Sequence, residues 1–96
     1  MADRAALVTG ASSGIGLAIA KALGEEGYAL TVSARRPEKL EDAAEGLRGE
    51  GFEVEATSAN MAEEDDVVAV FAAHRQKYGR LDVLVNNAGV GIGAPM

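Results

Sequence analysis

The chain has 96 residues, 48% of them hydrophobic, and a formal net charge of −6 at pH 7. That length suits one compact domain, and an acidic chain whose nine Lys and Arg form no long basic stripe argues against nucleic-acid binding or electrostatic attachment to a membrane. No cysteine is present, which removes disulfides, thiolate metal sites and a thiol nucleophile, and a single histidine, His74, cannot build a metal site unaided.

The opening "MADRAALV" contains no apolar run of signal-peptide length, and nothing later reaches transmembrane length. A cytoplasmic protein is the simplest expectation. From there short apolar runs alternate with stretches of helical period. Ala5 to Gly10 reads as a buried strand ending in glycine. Ile15, Ala18, Ile19, Ala22 and Leu23 then recur at i, i+3, i+4, i+7 and i+8, which predicts a helix burying that face, with Gly27 at its end. Tyr28 to Ala34 is a second β-rich run. Pro37 suits the first turn of a second helix, whose apolar face is Leu40, Ala43, Ala44 and Leu47, with Gly49 and Gly51 closing it.

Phe52 to Ser58 alternates as a third, half-exposed strand. The acids Glu63 to Asp66 favour a helix N-terminus through the macrodipole and read as its cap. Val67, Val70, Phe71, His74 and Tyr78 line one face of that helix, in which His74 is expected to pack rather than react. Gly79 breaks it, Leu81 to Asn86 is a fourth strand, and "NAGVGIGAPM" follows as a glycine-rich loop. The order β-α-β-α-β-α-β predicts an α/β, Rossmann-type doubly wound parallel sheet with strand order 3-2-1-4, its helices forming right-handed crossovers. Ligands belong at the switch point between the first and fourth strands, at their carboxyl ends.

"TGASSGIG", Thr9 to Gly16, occupies that point. Glycines tolerate a tight turn with positive φ and let the backbone approach a ligand. The unpaired first N–H groups of the following helix suit a pyrophosphate. The spacing Gly-x3-Gly-x-Gly performs the work of the commoner dinucleotide fingerprint, and no Lys follows it, so it is not a Walker loop. The second strand ends Ser33, Ala34, Arg35, Arg36, with Glu38 the first acid. Guanidinium at that position pairs with a 2′-phosphate, where an acid would repel it. NADP is therefore expected over NAD, with Arg35 the chief contact and Arg36 or Ser13 in support.

With these motifs in order, "TGASSGIG" at Thr9 to Gly16, "SANMAEEDDV" and "GRLDVLVNNAG" at Gly79 to Gly89, the sequence resembles the short-chain dehydrogenase/reductases across essentially its whole length. The resemblance implies that Gly10, Ser12, Ser13, Gly14, Ile15 and Gly16 wrap the pyrophosphate and adenosine ribose. It places Asn60 where the family usually has an Asp that meets the adenine amino group, and Asn offers a carbonyl oxygen in its stead. Met61 follows, against the adenine through its backbone. Asn86, Asn87, Ala88 and Gly89 match the element that borders the cofactor ribose. The family's catalytic Ser, Tyr and Lys, the last two spaced Tyr-x-x-x-Lys, have no counterpart here: Val32 follows Tyr28 by four residues and Asp82 follows Tyr78. No catalytic residue and no metal site can be named. Residues 1–96 thus read as a dinucleotide-binding half-domain, truncated before the catalytic half of an oxidoreductase that moves hydride between nicotinamide and a small carbonyl or alcohol. For a full-length chain the resemblance implies a homo-oligomer. Two alternatives stay open: a non-catalytic NADP(H)-binding module, and an interaction protein with a vestigial glycine loop.

Overall fold

A computed structural model describes residues 4–11 and 14–87. The elements are β1 (Ala5–Thr9), α1 (Gly14–Glu25), β2 (Ala29–Ala34), α2 (Pro37–Gly49), β3 (Val54–Ser58), α3 (Glu64–Tyr78) and β4 (Val83–Asn86). All strands pair in parallel in the order β3-β2-β1-β4, as the alternation of strand and helix predicts. Leu7 lies between Thr31 of β2 and Leu84 of β4. The central strands β1 and β2 are buried along their full length, while β3 and β4 lie at the margins and are partly exposed. That difference matches their sequences, since a parallel strand covered on both faces reads as a continuous apolar run.

Alternate side chains of the central strands point to opposite faces and build two cores. On one face Ala6, Val8, Leu30 and Val32 meet Ala20 of α1 and Leu40, Ala44 and Leu47 of α2. On the other, Leu7 meets Ala59 and Val70, with Met61 and Phe71 packed around them. The second helix buries its predicted stripe, starting from Pro37 in its first turn. The third carries Glu64, Asp65 and Asp66 in its first turn and Arg75 and Lys77 in its last, both signs complementing the macrodipole. It stops at Gly79, whose φ of 76° lets its N–H reach the Arg75 carbonyl.

The first helix departs from expectation. Its buried residues are Gly16, Ala20 and Gly24, spaced by four, while Ile15 is 71% exposed and Ala18 and Ala22 face solvent. The physical reason is proximity. A Cβ on Gly16 would overlap the Gly10 carbonyl oxygen, and one on Gly24 would come within 2.6 Å of the Phe52 ring. A helix this close to the sheet keeps its smallest residues at the line of closest contact, with Leu17 and Leu23 packed partly buried against the core beside it.

Candidate functional site

The carboxyl ends of β1, β2 and β4 and the loops that follow them converge at the switch point. Gly10 and Gly14 both have φ of +63°, the left-handed conformation that glycine adopts without a steric penalty. A Cβ on Gly14 would meet nothing within 4 Å, so the backbone at the start of α1 borders open space. Ser12 and Ser13 lie outside the described residues, as do Ala88 and Gly89. Gly16 packs inward at the first turn, with Asn87 Nδ2 2.9 Å from where its Cβ would stand.

Side-chain hydrogen bonds tie the end of the fourth strand to Thr9 and the loop after it. The Thr9 hydroxyl accepts from the Asn87 N–H at 2.9 Å and lies 3.1 Å from Asn86 Oδ1, to which it donates. Asn87 Nδ2 donates to the Gly10 carbonyl at 3.3 Å. Thr9, fully buried, was not a sequence candidate; its role rests on partners almost eighty positions away. Opposite it in register stands Ser33, buried, with a hydroxyl that has no hydrogen-bond partner among the described residues.

Arg35 and Arg36 emerge just past β2, both exposed. Among the described residues neither takes part in an ion pair. Arg36 is the N-cap of α2 but makes no side-chain cap bond. Neighbouring β3 is pinned to this loop: Ala59 N–H donates to the Ala34 carbonyl at 2.9 Å, and Ser58 Oγ to that of Arg35 at 3.4 Å. The bend after β3 therefore sits beside the two arginines. Within it the Asn60 N–H donates to Asp66 Oδ2 at 2.8 Å, and Asn60 Oδ1 accepts from the Ala62 N–H at 3.0 Å. Met61 turns its side chain toward the Leu7 and Val70 core.

The acidic run corrects a second expectation. Glu63 is the N-cap of α3 yet makes no side-chain cap bond; the carboxylate with a backbone partner is that of Asp66, which reaches back past the cap to Asn60.

Two titratable clusters lie away from the carboxyl ends of the strands, toward their amino ends. Buried His74 bonds through Nδ1 to Thr31 Oγ1 at 2.7 Å and through Nε2 to the Arg80 carbonyl at 2.8 Å. A carbonyl only accepts, so Nε2 carries the proton and the Thr31 hydroxyl donates to Nδ1. Burial pushes the His74 pKa below its usual value, against the opposing pull of the Arg80 carbonyl and Asp82. Tyr78 meets the His74 ring edge-on and donates to the Leu30 carbonyl. Its phenol pKa is raised by burial and by the nearby Glu53 and Glu55. Asp82 accepts from Arg80 and from the Ala5 N–H, and these bonds hold its carboxyl below the usual carboxylate range. Both clusters serve the scaffold; none of these groups faces the glycine loop.

A groove of about 450 Å³ runs between α1 and α2, lined by Leu17, Ala18, Ala43 and Leu47 among others, and no strand residue lines it. Among the described residues no group of three or more His, Asp or Glu is placed to hold a metal ion, and no helix is long and apolar enough to cross a membrane.

A parallel sheet of order 3-2-1-4 with a positive-φ glycine loop at its switch point defines a Rossmann-type nucleotide-binding fold. The model for short chain dehydrogenases matches residues 4–96, and the chain belongs to that family. The granaticin polyketide synthase putative ketoacyl reductase 1 of Streptomyces violaceoruber is 50% identical over 84 residues, spanning 88% of this chain and 31% of the relative. An actinorhodin polyketide ketoreductase variant, solved with NADPH, superposes with a TM-score of 0.87 at 43% identity, covering 91% of this chain and 34% of that one. L-sorbose reductase from Gluconobacter frateurii, solved with NADPH and L-sorbose, gives 0.85 at 38% identity, covering 90% and 33%. The chain thus spans about a third of the length of the proteins it matches.

Proposed function

We propose that this chain holds NADP(H) for an oxidoreductase that interconverts a small carbonyl compound and an alcohol. The observation that carries the cofactor choice is the pair Arg35 and Arg36. They stand exposed and without ion-pair partners among the described residues, just past a strand whose end bears no acid. NAD is the weaker fit for the same reason, since Glu38 is already inside α2. The NADPH-bound relatives support the reading. When bound, the nicotinamide supplies hydride chemistry; the protein's part is to bind and orient it.

In this reading the main chain of Gly10, Ser12, Ser13, Gly14, Ile15 and Gly16 surrounds the pyrophosphate and adenosine ribose, at the positive end of the α1 dipole. Arg35 and Arg36 neutralise the 2′-phosphate, Asn60 and Met61 meet the adenine, and Asn87, Ala88 and Gly89 border the cofactor ribose. The 96 residues contain no Tyr-x-x-x-Lys pair, so proton transfer to substrate belongs to groups elsewhere in the protein. These residues act as its dinucleotide-binding half-domain.

Titration with NADPH and NADH tests this. Arg35→Ala should weaken NADPH by about tenfold or more, the value of a charge-assisted hydrogen bond, and leave NADH within about twofold. Equal losses for both would overturn the 2′-phosphate assignment. Gly14→Asp should abolish binding of both, because it puts a carboxylate at the pyrophosphate position.

A further inference from the structure

We infer that Asp66 is a positioning residue for the adenine end of the cofactor, acting through Asn60; the inference rests on the nucleotide reading above. Of the four consecutive acids Glu63 to Asp66, the first three are exposed and Asp66 alone is partly buried. An ordinary capping acid in the third helical position reaches the N-cap N–H. Asp66 occupies that position but does not accept from the cap N–H, which goes to the Asn60 carbonyl: its Oδ2 accepts from the Asn60 N–H, three residues before Glu63, at 2.8 Å. A charge-assisted bond therefore spans the whole bend between β3 and α3.

Asn60 is fixed on further sides as well. Its carbonyl oxygen accepts from the Glu63 N–H at 2.9 Å, and its side-chain oxygen accepts from the Ala62 N–H. An N–H needs an acceptor, so this second bond settles which way the carboxamide points: Oδ1 toward Ala62, with Nδ2 as the donor left to offer, which fits an adenine ring nitrogen rather than the amino group that the resemblance implies. The neighbouring Ala59 is laddered to β2 beside Arg35. The carboxamide is thus held in one orientation by bonds within residues 60 to 66, and the Ala59 bond to Ala34 sets it next to the proposed 2′-phosphate contacts. Remove the Asp66 acceptor and the Asn60 N–H loses its partner, freeing the backbone that aims the carboxamide.

A first-turn acid also complements the helix dipole, so the test must separate charge from acceptor geometry. Asp66→Asn removes the charge and keeps an acceptor oxygen at the same reach. Asp66→Glu keeps the charge and moves the carboxylate by one methylene. Calorimetric titration of the full polypeptide with NADPH, with 2′,5′-ADP and with reduced nicotinamide mononucleotide reads the two ends of the cofactor separately. We expect Asp66→Asn to bind NADPH and 2′,5′-ADP within about twofold of the unmodified protein, and Asp66→Glu and Asp66→Ala to lose roughly five- to tenfold. The mononucleotide, which has no adenosine half, should bind all four proteins alike. Thermal unfolding of each variant identifies any that is not folded, and the Asn and Glu pair decides the matter if Asp66→Ala is not. Retained affinity in Asp66→Glu with loss in Asp66→Asn would assign Asp66 to the helix dipole and overturn the inference, as would parallel losses for all three ligands. Failure of the unmodified protein to bind NADPH at all would instead overturn the nucleotide reading itself.

Discussion

α1 meets the sheet through Gly16, Ala20 and Gly24, whereas α3 meets the opposite face through Val70 and His74, with Tyr78 half-buried beside them. The first contact is made by absence of side chain and brings backbone to backbone. The second is made by large polar side chains that reach across and bond specific groups on β2 and before β4. Close approach aims the start of a helix at the switch point, where an error of an ångström matters. Long polar anchors fix register, since the Thr31 hydroxyl donates to one ring nitrogen while the Leu30 and Arg80 carbonyls accept from one side chain each. One sheet thus uses steric intimacy where the candidate site lies and directional bonding where it does not.

Filling the intimate side should produce the larger damage. Gly16→Ala drives a methyl group into the Gly10 carbonyl, a backbone atom that cannot swing aside. The expected loss is about 3 kcal/mol or more, read by denaturant unfolding, together with loss of NADPH binding. A stability change within about 0.5 kcal/mol would show that the helix can withdraw from the sheet. On the bonded side, His74→Leu keeps the volume and deletes both ring bonds, to the buried Thr31 hydroxyl and to the Arg80 carbonyl. About 2 kcal/mol should be lost.

The same histidine sharpens the contrast through pH. Burial lowers its pKa in the folded state, so the fold favours the neutral ring. Its contribution is complete above the unfolded value near 6.5 and declines as pH falls through that value toward the lower folded one. A protonated Nδ1 would also confront the Thr31 hydroxyl with a second donor. Melting temperature should therefore fall between about pH 7.5 and pH 5.5, and His74→Leu should flatten that decline; an unchanged slope would assign the pH response to other groups. Smallest is Ser33→Ala, which removes a buried hydroxyl with no partner among the described residues. Stability should stay within about 0.5 kcal/mol or rise slightly, as a thermal melt would register.

Legibility in the sequence follows the range of each interaction. Element order, the parallel sheet and its strand order 3-2-1-4 could be read because alternation of apolar runs with helical period is local. The face of α1 could not. Periodicity weights the larger apolar residues and so selects Ile15, which is exposed, as well as Leu23, which does pack against the core, while the closest contact is made by the smallest. The bonds of Thr9, that of Asp82 to Ala5 and that of His74 to Thr31 were invisible for another reason: these partners lie tens of residues away and come adjacent only through the fold. Asp66 lay within a run recognised as acidic, yet nothing in that run distinguishes the one carboxylate that turns back from the three that face water. The glycine loop was legible because its constraint is conformational and sits within eight residues.

The bonds from Thr9 and Gly10 to Asn86 and Asn87 join positions 77 and 78 residues apart. A ribosome builds from the N-terminus, so β1 emerges first and gains its second neighbour only after three helices and two strands have been made. Closing so long a loop is an entropic cost met late. During synthesis β1 can pair with β2 while its other edge waits, and the switch point is assembled only when "LVNN" leaves the exit tunnel. Assembly of the candidate site and the pairing of β4 with β1 are then a single event in the life of the chain.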